Sequence, residues 1–279
     1  MRTISAAEIS DAVRALCIGS NRILPDDMRR GLAAAQKDEL WPTAAGVLDD
    51  IIENYRRAER LEMPVCQDTG MACVFVELGQ EVHIDGSLEE AIQEGVRRGY
   101  LDGYLRKSVV SDPIERINTL DNTPAVITYD VVMGDRLTIT VAPKGAGSEN
   151  MGRLAMLKPS DGLAGVKRFV LDAVEAAGPN PCPPIVVGVG IGGNFDRVAL
   201  LAKRALLRPI DRRNPNPVYA ALETELLDSI NALGIGPQGF GGRATALGVN
   251  IEVFATHIAQ LPCAVNIGCH VTRHQTAVL

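Results

Sequence analysis

Aromatic residues are scarce. Phe, Trp and Tyr make up only 4% of the 279 residues, so the stacking platforms that hold single-stranded nucleic acid lack material. Basic runs are missing as well. No stretch of Lys or Arg exceeds two residues and the net charge is −6, which excludes an electrostatic footprint for nucleic acid or an anionic membrane. No segment approaches the roughly 18 uncharged apolar residues of a membrane span. The N-terminal MRTISAAEISDAVRAL lacks the unbroken apolar stretch of a signal peptide. The expected compartment is therefore the cytoplasm, where thiols stay reduced. The four histidines, His83, His257, His270 and His274, have no metal-ligand spacing; His270 and His274, in the terminal segment, read as surface residues, with a supporting role beside Cys269 as the alternative. What is present is 46% apolar residues, enough to bury a proper core in one large domain or two ordinary ones.

The six cysteines contain no CxxC pair, so a zinc ribbon is excluded, and a disulfide framework does not fit a reducing compartment. Cys17, on the helical pattern AAEISDAVRALCIG, and Cys73 and Cys263, in the strand patterns ACVFVEL and LPCAVNIG, read as small buried hydrophobes. The other three have different neighbours. Cys66 precedes Gln67, Asp68, Thr69 and Gly70, a row of polar, chemically able side chains. Cys182 sits among prolines in GPNPCPPIVVG, and Cys269 follows a glycine at a strand end in NIGCHVTRH. Three thiols on rigid loops at strand ends are either ordinary turn residues or a site.

Periodicity organises the rest. Residues 5–60 read as helices: Ser5 and Glu8 have capping-box spacing, and Pro25 with Asp26 and Asp27 opens a second helix. Val47, Leu48, Ile51, Ile52 and Tyr55 then form a stripe of helical period. ACVFVELG is a strand, followed by a helix near SLEEAIQEGVRRGYL. PAVITYDVV and DRLTITVAP read as a hairpin around Met133, Gly134 and Asp135. LAGVKRFVLDAVEAAG is a helix stopped at Gly178-Pro179. PIVVGVGIGG is a strand, NFDRVALLAKRAL and NPVYAALETELLDSINALG are helices, and ALGVNIEVF and CAVNIG are strands. No internal repeat is visible. The expectation is an α+β chain, a single domain over 1–279, with a helical N-terminal layer (residues 1–60) on a mixed β-sheet core.

Gly188-Val-Gly190-Ile-Gly192-Gly193 satisfies G-x-G-x-x-G between a strand and a helix, which raises a dinucleotide-binding oxidoreductase as an alternative. The unit begins near residue 184, and the acidic residue about twenty positions on is Asp211, in the proline-broken LLRPIDRRNPNP. A tight strand–helix turn is the competing reading. KGAGSEN carries no GK[ST], but its small residues suit a nest of backbone amides for a carboxylate.

CQDTG, LRKSVVSDP, KGAGSEN, the proline-flanked CPP, GIGGNFDR, GIGPQGFGGRATALGV and a terminal glycine-cysteine strand end occur in this order. Together they resemble the α subunit of the iron–sulfur-dependent hydro-lyases, the family of class I fumarases and L-tartrate dehydratases, from about residue 10 to the end. The resemblance implies the catalytic α-type domain of that family and a [4Fe–4S] cluster held by Cys66, Cys182 and Cys269. Three thiolates leave one iron open to act as a Lewis acid on a substrate hydroxyl. It implies that Gln67, Asp68 and Arg106 bind substrate, that Asp68 handles the proton at the departing hydroxyl, and that Gly145, Ala146 and Gly147 offer amides to a carboxylate. Ala146 stands where relatives commonly have glycine. Thr69 is assigned a turn or supporting hydrogen bond. The implied reaction is reversible dehydration of malate to fumarate, with L-tartrate as the alternative substrate. The resemblance also implies a half-site: an α–α homodimer within an α2β2 heterotetramer, active only with a β subunit that supplies the base.

Overall fold

The structure, a computed structural model, describes residues 2–279 of an α+β protein. In chain order its elements are strand β1 (Arg2–Ser5), helices α1 (Ala6–Arg22), α2 (Asp26–Asp38) and α3 (Pro42–Arg60), strands β2 (Met71–Gly79) and β3 (Val82–Asp85), and helix α4 (Leu88–Asp102). Strands β4 (Val126–Val132) and β5 (Leu137–Lys144), the single turn α5 (Ala146–Glu149), strand β6 (Arg153–Leu157), helix α6 (Gly162–Ala177) and strand β7 (Ile185–Gly192) follow. Helices α7 (Phe195–Ala205) and α8 (Pro217–Ala232) and strands β8 (Ala246–Phe254), β9 (Leu261–Gly268) and β10 (Gln275–Val278) complete it. Helix starts follow their caps. Ser5 and Glu8 close the expected capping box on α1, Ser87 caps α4, and Asn194 and Asn216 cap α7 and α8.

The chain divides into two compact units. The first holds residues up to Pro25, Tyr55–Ala146 and Arg273–Leu279; the second holds Asp26–Asn54 and Gly147–Thr272. The N-terminal region is helical from Ala6 to Arg60, as its periodicity dictates, but α1 belongs to the first unit and α2 to the second.

In the first unit a four-stranded sheet runs in the order β10-β5-β2-β4. Its middle strand, β2, is buried along Ala72 to Val76, and Val74, Ile139 and Val141 meet Ile9, Val13 and Cys17 of α1 and Ile92, Val96 and Tyr100 of α4. The hairpin expected between β4 and β5 is not formed, because β2 lies between them, parallel to β4 and antiparallel to β5. The end of β2 takes the hydrogen bonds a hairpin turn would keep: Gly79 N–H donates to Arg136 O at 2.9 Å, and Gln80 N–H to Val132 O at 2.9 Å. The more apolar strand takes the centre and leaves β4, with Val126, Tyr129 and Val131 exposed, at the edge. Short β1 and β3, not anticipated from the pattern, pair in parallel beside this sheet.

In the second unit the order is β6-β9-β7-β8. The alternation of strand side chains sorts β9 cleanly. Cys263, Val265 and Ile267 face the cluster made with α6 and α8, while Ala264 packs with Val198 and Ala202 of α7. Buried Glu223 anchors the edge: its carboxylate accepts from Arg208, from the Ile251 N–H at 2.9 Å and from the Asn214 N–H at 3.0 Å.

Candidate functional site

Strand register alone brings the first unit's motifs together. Met71 at the start of β2 pairs with Lys144 at the end of β5, so the loop Cys66–Gly70 and the loop beginning at Gly145 emerge at one sheet end. The Asp68 carboxylate joins them. Its Oδ1 accepts from Gly70 N–H at 3.0 Å and its Oδ2 from Ala146 N–H at 2.9 Å. A Cβ at Gly145 would stand 3.0 Å from Asp68 Oδ2. Gly70 has φ +69°, and a Cβ there would lie 2.6–2.7 Å from the Lys144 backbone, so only glycine allows this close approach. Asp68 N–H donates to Cys66 Sγ at 3.4 Å. Gln67 is exposed, Cys66 and Asp68 are half-buried, and Thr69 is buried. Thr69 Oγ1 donates to the Arg106 carbonyl at 3.0 Å, which ties the loop to the backbone of an arginine whose own side chain is exposed.

Three further side chains hold this loop from beneath. Tyr100 Oη donates to the carbonyls of Thr69 (2.7 Å) and Gly70 (3.1 Å), Asn122 Nδ2 to Gly70 O at 3.1 Å, and Arg273 Nη2 to Asp68 O at 2.8 Å. Burial pushes the Tyr100 phenol well above its ordinary value, so it stays a neutral donor. Sequence reasoning passed over all three, because nothing in GYLDGY, TLDNTP or TRHQ marks a side chain that turns inward to a distant carbonyl.

The second unit repeats the logic. Val186 pairs with Gly268 in the antiparallel β7–β9 ladder, so Cys182, just before β7, and Cys269, just after β9, lie at the same sheet end. The connection is direct: His270 N–H donates to Cys182 O at 3.2 Å, and His270 Nδ1 lies 3.0 Å from the same oxygen. The same Nδ1 lies 3.2 Å from Gln238 Nε2. Gln238 donates to Pro183 O through both its backbone N–H and its Nε2, each at 2.8 Å. His270 is thus half-buried between loops, and the surface reading does not hold for it. Cys182 has φ +56°, unusual for a residue with a Cβ, and its side chain is exposed. Such a backbone persists only where the surroundings enforce it.

Burial divides the thiols three and three. Cys17, Cys73 and Cys263 are sealed in the cores at 0%, 4% and 0% exposure, whereas Cys66, Cys182 and Cys269 reach the surface. Burial pushes Cys17 and Cys263 up to about 12, and a thiol that stays protonated is no metal ligand. The structure thus joins Asp68 with Gly145, Ala146 and the Arg106 backbone inside the first unit, and Cys182 with Cys269 inside the second. Cys66 belongs to the first unit, Gly147 to the second. Among the described residues, no three His, Cys, Asp or Glu side chains gather as a site for a single metal ion. A cubane makes a different demand, since each thiolate takes its own corner iron.

The dinucleotide alternative loses its support. Gly188 and Gly190 lie within β7, where a Cβ would meet α7 backbone at Ala202 O (2.2 Å) and Val198 O (2.3 Å). They are there to seat a helix. The amides at the turn are already engaged: Gly193 N–H donates to Ala255 O at 3.1 Å and Arg197 N–H to the Asn194 cap at 3.1 Å.

Known proteins align with nearly the whole chain. The family described as Fumarate hydratase (Fumerase) matches residues 10–278. The putative L(+)-tartrate dehydratase subunit alpha of Methanocaldococcus jannaschii is 44% identical over 273 residues, 95% of each chain. The L(+)-tartrate dehydratase subunit alpha of Escherichia coli O157:H7 is 35% identical over 260 residues, covering 92% of this chain and 86% of that one. The corresponding subunit of Escherichia coli strain K12 is 34% identical over 260 residues. With a match of this extent, the chain belongs to the fumarate hydratase (Fumerase) family and is a hydro-lyase.

Proposed function

We propose that the chain is the cluster-bearing α subunit of a hydro-lyase that reversibly dehydrates a small hydroxy-dicarboxylate, malate to fumarate. Cys66, Cys182 and Cys269 hold a [4Fe–4S] cluster. The observation that carries this reading is the partition of the thiols: three are sealed in cores, and the three on loops at strand ends include one directly beside Gln67 and Asp68. Soft thiolates suit iron–sulfur clusters, and the Asp68 N–H donates to Cys66 Sγ at 3.4 Å. When bound, such a cluster supplies one iron without a protein ligand as a Lewis acid.

The chain's own residues bind and orient. The exposed Arg106 guanidinium grips a substrate carboxylate with its planar fork. Gln67 donates its amide hydrogens to the substrate, and the amides of Gly145, Ala146 and Gly147 line the approach of a carboxylate. Asp68 handles the proton at the departing hydroxyl. Both its oxygens already accept a backbone N–H, which fixes their direction while leaving each a lone pair for that proton. A β subunit, in an α2β2 assembly built on an α–α dimer, contributes the base that takes the carbon-bound proton. Such an assembly works in the cytoplasm, where thiols remain reduced.

A second substrate, L-tartrate, is favoured by the names of the relatives, which are tartrate dehydratase α subunits. Anaerobic reconstitution of the chain with its β partner, assayed on malate and on L-tartrate, tests both. The expected result is an iron–sulfur chromophore and water elimination from one of them. A reconstituted complex with no cluster, or with a cluster and no elimination, overturns the proposal. Turnover by the single chain overturns the division of labour.

A further inference from the structure

Arg273 is buried at 4% exposure, although a guanidinium is among the groups least often placed there. Its Nε and Nη2 donate to Asn21 Oδ1 at 3.3 and 3.0 Å, and Nη2 donates also to the Asp68 carbonyl at 2.8 Å. Asn21 is itself locked, since its Nδ2 donates to Cys17 O at 3.0 Å and its carbonyl accepts Val65 N–H at 2.8 Å. Residues on both sides of Cys66 are therefore held by one assembly, Val65 through Asn21 and Asp68 through Arg273.

The carbonyls of Asp68, Thr69 and Gly70 are all drawn inward, by Arg273, Tyr100 and Asn122. With its carbonyls fixed on the inner side, the loop turns its remaining polar groups to the outer side. There Asp68 N–H meets Cys66 Sγ, and the Asp68 carboxylate reaches Gly70 and Ala146. Tyr100 and Asn122 are neutral donors to the loop. Arg273 differs in bringing a charge, and a charge-assisted hydrogen bond is about twice as strong as a neutral one.

We infer that Arg273 is a positioning residue for the Cys66–Gly70 loop, setting through the Asp68 carbonyl the directions of the Cys66 sulfur and the Asp68 carboxylate. Its part in turnover rests on the function proposed above. Its effect on the loop does not.

Hydrogen exchange by mass spectrometry on the chain, together with kinetics on the reconstituted α–β complex, tests it. In Arg273→Met, amides in peptides spanning 66–70 and 145–147 are expected to exchange at least about tenfold faster, with the β7–β9 peptides unchanged. kcat is expected to fall about 10–100-fold with KM within about threefold, and Arg273→Lys, which keeps the charge but not the fork, to lie between. Unchanged exchange at 66–70 in folded Arg273→Met overturns the inference. So does a uniform rise across all peptides, which marks a mere fold-holder. If Arg273→Met does not fold, the same readings on Arg273→Lys decide. A wild-type complex without hydro-lyase activity would sink the function but leave the exchange result standing.

Discussion

The first and second units follow one strand path and fill it with different chemistry. In each, a central strand (β2 or β7) connects through helix to a parallel edge strand (β4 or β8), and the next strand (β5 or β9) returns antiparallel on the centre's other side. Each unit places its chemically able loops alike, one before the central strand and one after the antiparallel strand. In the first unit the centre is MACVFVELG, packed by large side chains, and its loop is pinned by Tyr100, Asn122 and Arg273. In the second the centre is IVVGVGIG, thinned by glycine to admit α7, and its loops are pinned by His270 and Gln238. The difference teaches that a loop position can be kept while everything that supports it changes.

The largest expected effect breaks the symmetry of thiols between units. Replacing Cys66 in the first unit, or Cys182 or Cys269 in the second, with Ser should remove cluster and activity together, measured as iron content and elimination rate. Cys263→Ala in the second core should leave iron content unchanged. Next comes Glu223, a fully buried carboxylate of the second unit. Glu223→Ala strands the Asn214 and Ile251 N–H donors, while Arg208 keeps Glu252 as a partner at 3.0 Å, and should cost about 1–3 kcal/mol per stranded donor in denaturant unfolding. Gly190→Ala forces a methyl against Val198 O, with an expected loss of about 1–3 kcal/mol.

Glu39 provides a pH-dependent test of the second unit. Burial pushes its carboxyl up, but the N–H groups of Trp41, Arg243, Leu40 and Ala244 together outweigh this and hold it below its ordinary 4.5. A depressed folded value means the stabilisation is complete above 4.5 and disappears as pH falls through the folded value. Glu39→Gln should cost about 1–2 kcal/mol at pH 7 and show a flatter loss of stability on acidification. The smallest effect belongs to the first unit's surface. Arg14→Ala removes a 2.5 Å pair with Asp102, both partners more than a third exposed. It should cost under about 1 kcal/mol, less in high salt.

Much of this was legible beforehand. Helical period and caps placed α1, α3 and α4, and apolar runs placed β2, β7 and β9, because each signal is local. The hairpin of β4 and β5 was misread for the same reason. Their turn residues are adjacent in the chain, but the strand that separates them comes from residues 71–79. The buried supports, Arg273, Tyr100 and Asn122, were invisible because their partners stand 30 to 205 positions away.

Residue order by itself determined which stretches become helix or strand and which of the six thiols read as core residues, since propensity, capping and alternation act over a few neighbours. Only tertiary structure decided which strand holds the centre of each sheet and which distant side chains draw the carbonyls of the Asp68 loop inward. Those outcomes depend on competition for burial and for hydrogen-bond partners among segments far apart in the chain.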